Sequence, residues 1–134
     1  MATLADSDNH VMTVFKSPTC GCCGNWVERI RAAGFKVNVT NTDNLDAVKK
    51  MASIPSHLQS CHTAKIDGYI VEGHVPVDVI RKLLKERPEI RGISVPGMPT
   101  GSPGMEYGDE REAFDVVTFG GKVPGKIYRS YPAK

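Results

Sequence analysis

Between Val11 and Val39 the chain reads strand, helix, strand, and that order leaves few topologies open. Val11-Met12-Thr13-Val14-Phe15 is rich in β-branched and aromatic side chains. Trp26, Val27, Ile30 and Ala33 then recur at helical spacing up to Gly34, a suitable residue just past a helix end. Phe35-Lys36-Val37-Asn38-Val39 alternates apolar and polar as a second strand. Such a unit predicts parallel neighbouring strands joined by a crossover helix that packs on the sheet.

The rest continues the alternation. Asp43 or Asn44 can cap a short helix with Leu45, Val48 and Met51 on one face, stopped before Pro55. Strands from His62 to Ile66 and from Tyr69 to Glu72 flank Asp67-Gly68, the strongest two-residue hairpin signal in the chain. Pro76 sits where a first helical turn tolerates proline, Val77, Ile80, Leu83 and Leu84 face inward, and Pro88 enforces the stop. The order β-α-β-α-β-β-α, with the cysteine motif after the first strand and Pro55 before the third, is the thioredoxin order. The expected fold is α/β and thioredoxin-like: a mixed four-stranded sheet flanked by helices. Phe114 to Phe119 and Lys126 to Tyr131, around Gly120-Gly121, add a C-terminal β-hairpin extension. Residues 1–10 are expected to be a flexible segment and residues 11–134 a single domain. Met12, Met51 and Trp26 are read as packing residues.

Composition excludes several partners. The 134 residues are 40% apolar and 24% charged, enough for one globular core without staples. A net charge of +2, with no basic run longer than Lys49-Lys50, argues against nucleic acid, which requires a concentrated basic surface. No stretch approaches the ~20 apolar residues of a membrane span. The start Met1-Ala2-Thr3-Leu4-Ala5-Asp6-Ser7-Asp8 lacks the basic-then-apolar layout of a signal peptide, so the residues taken alone predict the cytoplasm.

The chemistry concentrates in Cys20-Gly21-Cys22-Cys23-Gly24, at the start of the first helix. The helix dipole and free N–H groups there favour thiolate over thiol. A single free cysteine is often just a small buried hydrophobe, but three of them between two glycines make a poor packing segment. Cys20 and Cys23 form a Cys-x-x-Cys pair, which suits both redox exchange and metal binding. A structural zinc site needs four ligands in paired short spacings; the fourth cysteine, Cys61, has only His62 beside it. Crowded thiolates suit Cu(I), a soft ion that several sulfurs can bind or bridge. Met98 and Met105, in a glycine- and proline-rich stretch without periodicity, could add thioethers, or could simply fill space under a loop. His62, His57 and His74 are borderline ligands, His62 the strongest candidate through its neighbour.

The joint occurrence of Cys20-Gly21-Cys22-Cys23-Gly24, Cys61-His62-Thr63-Ala64, Gly68-Tyr69-Ile70-Val71-Glu72-Gly73-His74-Val75-Pro76, Val95-Pro96-Gly97-Met98-Pro99 and Gly104-Met105-Glu106 closely resembles the CopG-like copper-resistance family of small periplasmic thioredoxin-fold proteins. The resemblance implies an exported protein that binds copper as Cu(I) and takes part in copper redox chemistry, and the crowding of its cysteines would let thiolates bridge several ions per chain. It implies periplasmic localisation and other periplasmic copper-handling proteins as partners, with no nucleic acid and no membrane insertion.

Three functions follow from these residues. One is a copper-binding resistance protein with Cys20, Cys22, Cys23, Cys61, His62, Met98 and Met105 as metal ligands. Another is a thiol–disulfide oxidoreductase in which Cys20 attacks and Cys23 resolves. Cys22 counts against that, since a third thiol between attacker and resolver offers a competing disulfide partner. The third is a non-enzymatic copper chaperone or sink.

Overall fold

Strand β1 (Val11–Lys16) and strand β2 (Lys36–Asn41) pair in parallel on either side of helix α1 (Gly21–Ala32), as the first pattern requires. This architecture comes from a computed structural model that describes residues 11–106 and 108–134; the expected flexible segment 1–10 lies outside the described residues. Gly34 follows the α1 cap at a φ of 102°, a left-handed value that glycine adopts without a Cβ penalty. Helix α2 (Leu45–Met51) is capped by Asn44, whose side chain accepts a hydrogen bond from the Ala47 N–H at 3.4 Å.

Strands β3 (Thr63–Ile66) and β4 (Tyr69–Glu72) form an antiparallel hairpin, and Asp67 and Gly68 both take positive φ, 52° and 85°. Two positive values in succession give the turn that matches sheet twist, hence the strength of the Asp-Gly signal. Helix α3 (Val77–Glu86) follows with Pro76 as its N-cap, one place earlier than expected, and ends on Arg87 in the left-handed region. Its inward side is Val79, Ile80 and Leu83, with Val77 and Leu84 partly buried beside them.

The expected four-stranded sheet is only part of a larger one. Among the described residues seven strands join in the order β2-β1-β3-β4-β5-β6-β7. Strand β5 (Gly92–Ser94) lies parallel to β4, and β6 (Phe114–Phe119) pairs antiparallel to β5. Strand β7 (Ile127–Tyr131) completes the terminal hairpin, which therefore extends the sheet through β5. Gly92 lies so close to the Ile70 carbonyl and the Phe119 ring that no Cβ would fit. That closeness explains a strand that starts on a poor strand former.

Sheet residues of alternating orientation feed two cores. Met12, Val14, Ala64, Val71 and Ile93 pack with Trp26, Val27 and Ile30 of α1 and with Val79, Ile80 and Leu83 of α3. Ile70 and Phe119 pack with Ile54 and Leu58 in the smaller cluster. Met12 and Trp26 are fully buried, as expected. Met51 is not a packing residue: it is 86% exposed, while Leu45 and Val48 are half-buried and the buried side chain of α2 is Lys49. Seven residues make two turns, and the turn that meets the sheet does so through Lys49, leaving Met51 at the solvent end.

Candidate metal centre

Sheet register brings three separate segments to one end of the molecule. Phe15, near the end of β1, pairs with Thr63 at the start of β3, and Thr63 pairs with Glu72 at the end of β4. The loop after β1, the residues before β3 and the residues after β4 therefore converge. They carry Cys20 to Cys23, Cys61 with His62, and His74. The ligand atoms of Cys23, Cys61, His62 and His74 all lie within 4.8 Å of one another. Cys23 and both histidines are buried and Cys61 is half-buried.

Each side chain is held by identifiable contacts. Cys20 is the N-cap of α1, Cys22 and Cys23 lie in its first turn, and Cys20 is joined to Cys23 by a disulfide with Cα atoms 5.4 Å apart. Cys22 is a free, half-buried thiol, near enough for its charge to disfavour that of Cys61. The sulfur of Cys61 lies 3.0 Å from His74 Nε2 and 3.3 Å from His62 Nδ1. His74 Nδ1 donates to the Pro103 carbonyl at 2.6 Å, which leaves Nε2 with its lone pair toward the sulfur. The His62 ring packs 4.3 Å from Trp26, and Trp26 Nε1 donates to the Val75 carbonyl at 3.0 Å.

The loop containing Pro103 closes over these groups. A Cβ on Gly104, at φ 90°, would come within 2.8 Å of the Cys22 carbonyl and 3.0 Å of His74 Nδ1. Only glycine fits at that place. Arg29 of α1 ties the loop down through a bidentate pair with Glu106, both bonds at 3.1 Å. The pair is exposed and contributes little stability by itself.

Electrostatics favour uncharged imidazoles. Burial holds His62 well below the usual histidine range, and the charges of His74 and Lys49 act in the same sense. Burial lowers His74 too, against the opposing pull of the Pro103 carbonyl and Glu106. Burial pushes the Cys61 thiol up, while the Ser60 hydroxyl and the Lys49 charge work the other way. Neutral imidazole is the metal-binding form. Among the described residues His62 Nε2 is buried without a hydrogen-bond partner, a costly state that metal ligation would relieve. Once the disulfide is reduced, two cysteine sulfurs and two imidazoles form a soft-to-borderline donor set that fits copper or zinc better than a hard cation.

The family described as "Protein of unknown function, DUF411" matches residues 58–105. A solved structure of a copper resistance protein copG, its form 2, is 42% identical, covers 92% of this chain and 98% of its own, and superposes with a TM-score of 0.87. Form 1 is 43% identical over 91% of this chain and 97% of its own, with a TM-score of 0.86. The chain belongs to the CopG copper-resistance family. No curated protein sequence matches it significantly.

In this CopG-family chain the predicted ligands Cys23, Cys61 and His62 come together. Cys20 is joined to one of them, and Cys22 lies in the same helical turn. Met98 is 45% exposed and lines a shallow surface pocket with Pro96, Pro99 and Phe114. Met105 is half-buried in the loop that covers the site. His57 is exposed on a 3₁₀ turn (Ser56–Leu58). The fourth member of the cluster, His74, stood among the borderline histidines with no stronger claim. The Asp67-Gly68 turn was the signal that could have raised it, because pairing Thr63 with Glu72 carries His74 back toward Cys61.

Proposed function

We propose that this protein binds copper as Cu(I) in bacterial copper resistance, in the periplasm, on a thioredoxin-like framework. The convergence of Cys23, Cys61, His62 and His74 within 4.8 Å is the observation that carries the reading. With the disulfide reduced, Cys20 and Cys22 add two more sulfurs at the same helix end, and such a crowd of thiolates suits several bridged Cu(I) ions. Met98 and Met105 are the candidate thioethers of the covering loop.

Once its disulfide is reduced, the Cys20–Cys23 pair also supplies electrons. Oxidation of its two thiols forms one S–S bond and releases two electrons and two protons. Two Cu(II) ions accept the electrons and become two Cu(I) ions, the protons pass to solvent, and an external dithiol resets the pair. In this scheme Cys20 and Cys23 are both ligands and reductants, and copper is the substrate.

A simple thiol–disulfide exchanger is the second reading. The half-exposed Cys20 and fully buried Cys23 favour it, since they suit attacker and resolver. Metal content separates the two. Anaerobically reduced protein should retain copper at a defined stoichiometry and hold Cu(I) far more tightly than Zn(II) in chelator competition. Protein that retains none, or prefers Zn(II), refutes the copper reading. Active exchange by a metal-free protein would instead support the second.

A further inference from the structure

Helix α2 contributes a lysine to the interior, where two turns of helix would ordinarily place an apolar residue. Lys49 is 5% exposed and Glu72 is fully buried. Lys49 Nζ contacts Glu72 Oε2 at 2.5 Å and donates to Thr63 Oγ1 at 3.0 Å. The Thr63 hydroxyl donates to Glu72 Oε1 at 2.6 Å, and the Ser60 N–H donates to Oε2 at 2.8 Å. Three of these four bonds thus end on Ser60 or Thr63, the two residues that bracket Cys61 and His62.

Stability does not explain such a group. Taking two charges out of water is costly, and a well-packed apolar pair of the same size is often as stable. The network's position does explain it. Glu72 grips the chain on both sides of Cys61-His62, and Gly73 N, one residue on, donates to the His62 carbonyl at 3.0 Å. His74 follows directly. One carboxylate therefore sets three of the four clustered groups relative to one another, and Lys49 fixes that carboxylate from the opposite element.

We propose that the buried Lys49–Glu72 pair, with Thr63, is the positioning device of the metal centre: it holds Cys61, His62 and His74 in the geometry that accepts copper. The inference rests on the copper reading above. Lys49 and Glu72 act through the residues they hold and touch no metal themselves.

The test uses the full chain, reduced and anaerobic, with three variants. Lys49→Met/Glu72→Gln neutralises both charges and keeps one acceptor; Thr63→Val removes a single hydroxyl; Ile80→Val loosens the main core away from the network. Two quantities are measured: the ¹⁵N imidazole signals of His62 and His74 in metal-free protein, and Cu(I) affinity against a chelator. The double variant should shift both imidazole signals and weaken Cu(I) binding about 10–100-fold, the range for residues that orient ligands. Thr63→Val should do the same more weakly, and Ile80→Val should do neither. Unchanged imidazole signals and affinity within twofold of wild type in the double variant overturn the proposal. If that variant does not fold, the same result in Thr63→Val overturns it. Wild-type protein that fails to bind Cu(I) refutes the copper reading, and the metal-free imidazole signals then still decide whether the network positions these residues.

Discussion

The two sides of the candidate metal centre are built on opposite principles. On one side, three cysteines occupy the N-cap and half-open first turn of α1, two of them joined by a disulfide that chemistry can open and close. On the other, Cys61, His62 and His74 are set by a buried ion pair, a hairpin ladder and the Pro103 carbonyl. One side can change its covalent state while the other keeps its shape. A centre that must accept, hold and release an ion gains from that division, because the rigid half retains geometry while the labile half changes donor count.

The strongest way to break this comparison is to remove the labile side. Replacing Cys20, Cys22 and Cys23 together by serine should weaken Cu(I) binding by more than about a hundredfold, beyond the loss expected for residues that only orient ligands. Unchanged affinity in chelator competition would show that the rigid side alone makes the site.

Oxidation tests the same side without mutation. Protein with the Cys20–Cys23 disulfide closed should load only a small fraction of the copper taken up when reduced, and bound copper should protect both thiols from alkylation. Mass spectrometry after alkylation reads both effects, and equal uptake by the two forms would move the site to the histidines.

The rigid side should announce itself in pH. In metal-free protein with the Cys20–Cys23 disulfide closed, His62 and His74 titrate below their ordinary 6.5 and Cys61 above its ordinary 9.0. Below pH 6.5 the unfolded chain takes up protons that the folded histidines refuse, so stability falls as pH drops. Above pH 9.0 the unfolded chain releases a Cys61 proton that the folded state keeps, so stability falls as pH rises. Thermal melts should therefore decline by several degrees on both sides of that window, with the acid decline starting above the range of ordinary carboxylates. A histidine pair that charges freely in the fold would leave the melting temperature flat from pH 6.5 to about 5.

The smallest effect concerns the covering loop. Changing Met98 and Met105 to isoleucine should keep the fold and weaken copper retention by about twofold to tenfold, more at acidic pH, where thiolate binding fades and thioethers persist. Loss of thermal stability with unchanged affinity at both pH values would make the two methionines ordinary packing residues.

What could be read in advance was local. The β-branched run of β1, the helical spacing of Trp26 to Ile30 and the Asp67-Gly68 turn each carry their own physical cause, and each element forms there. Strand β5 could not be read: three residues beginning with a glycine become a strand only because β4 and β6 pair with them. Lys49 was equally hidden, since its burial depends on Glu72, which arrives from another element. The site divides in the same way. The cysteines announce themselves by crowding, whereas His74 joins Cys61 only through sheet register.

The bond from His74 to the Pro103 carbonyl carries a consequence for how this centre can vary. The atom that selects the His74 tautomer is a main-chain oxygen, which no substitution at position 103 removes. Residue identity there can drift while the contact survives, provided the backbone keeps its path. That path depends on Gly104, whose missing Cβ lets the chain approach Cys22, Trp26 and His74 at once. Comparing side chains at position 103 would thus miss a determinant of the His74 tautomer, while inserting a single residue nearby would disturb it without altering any member of the Cys/His cluster.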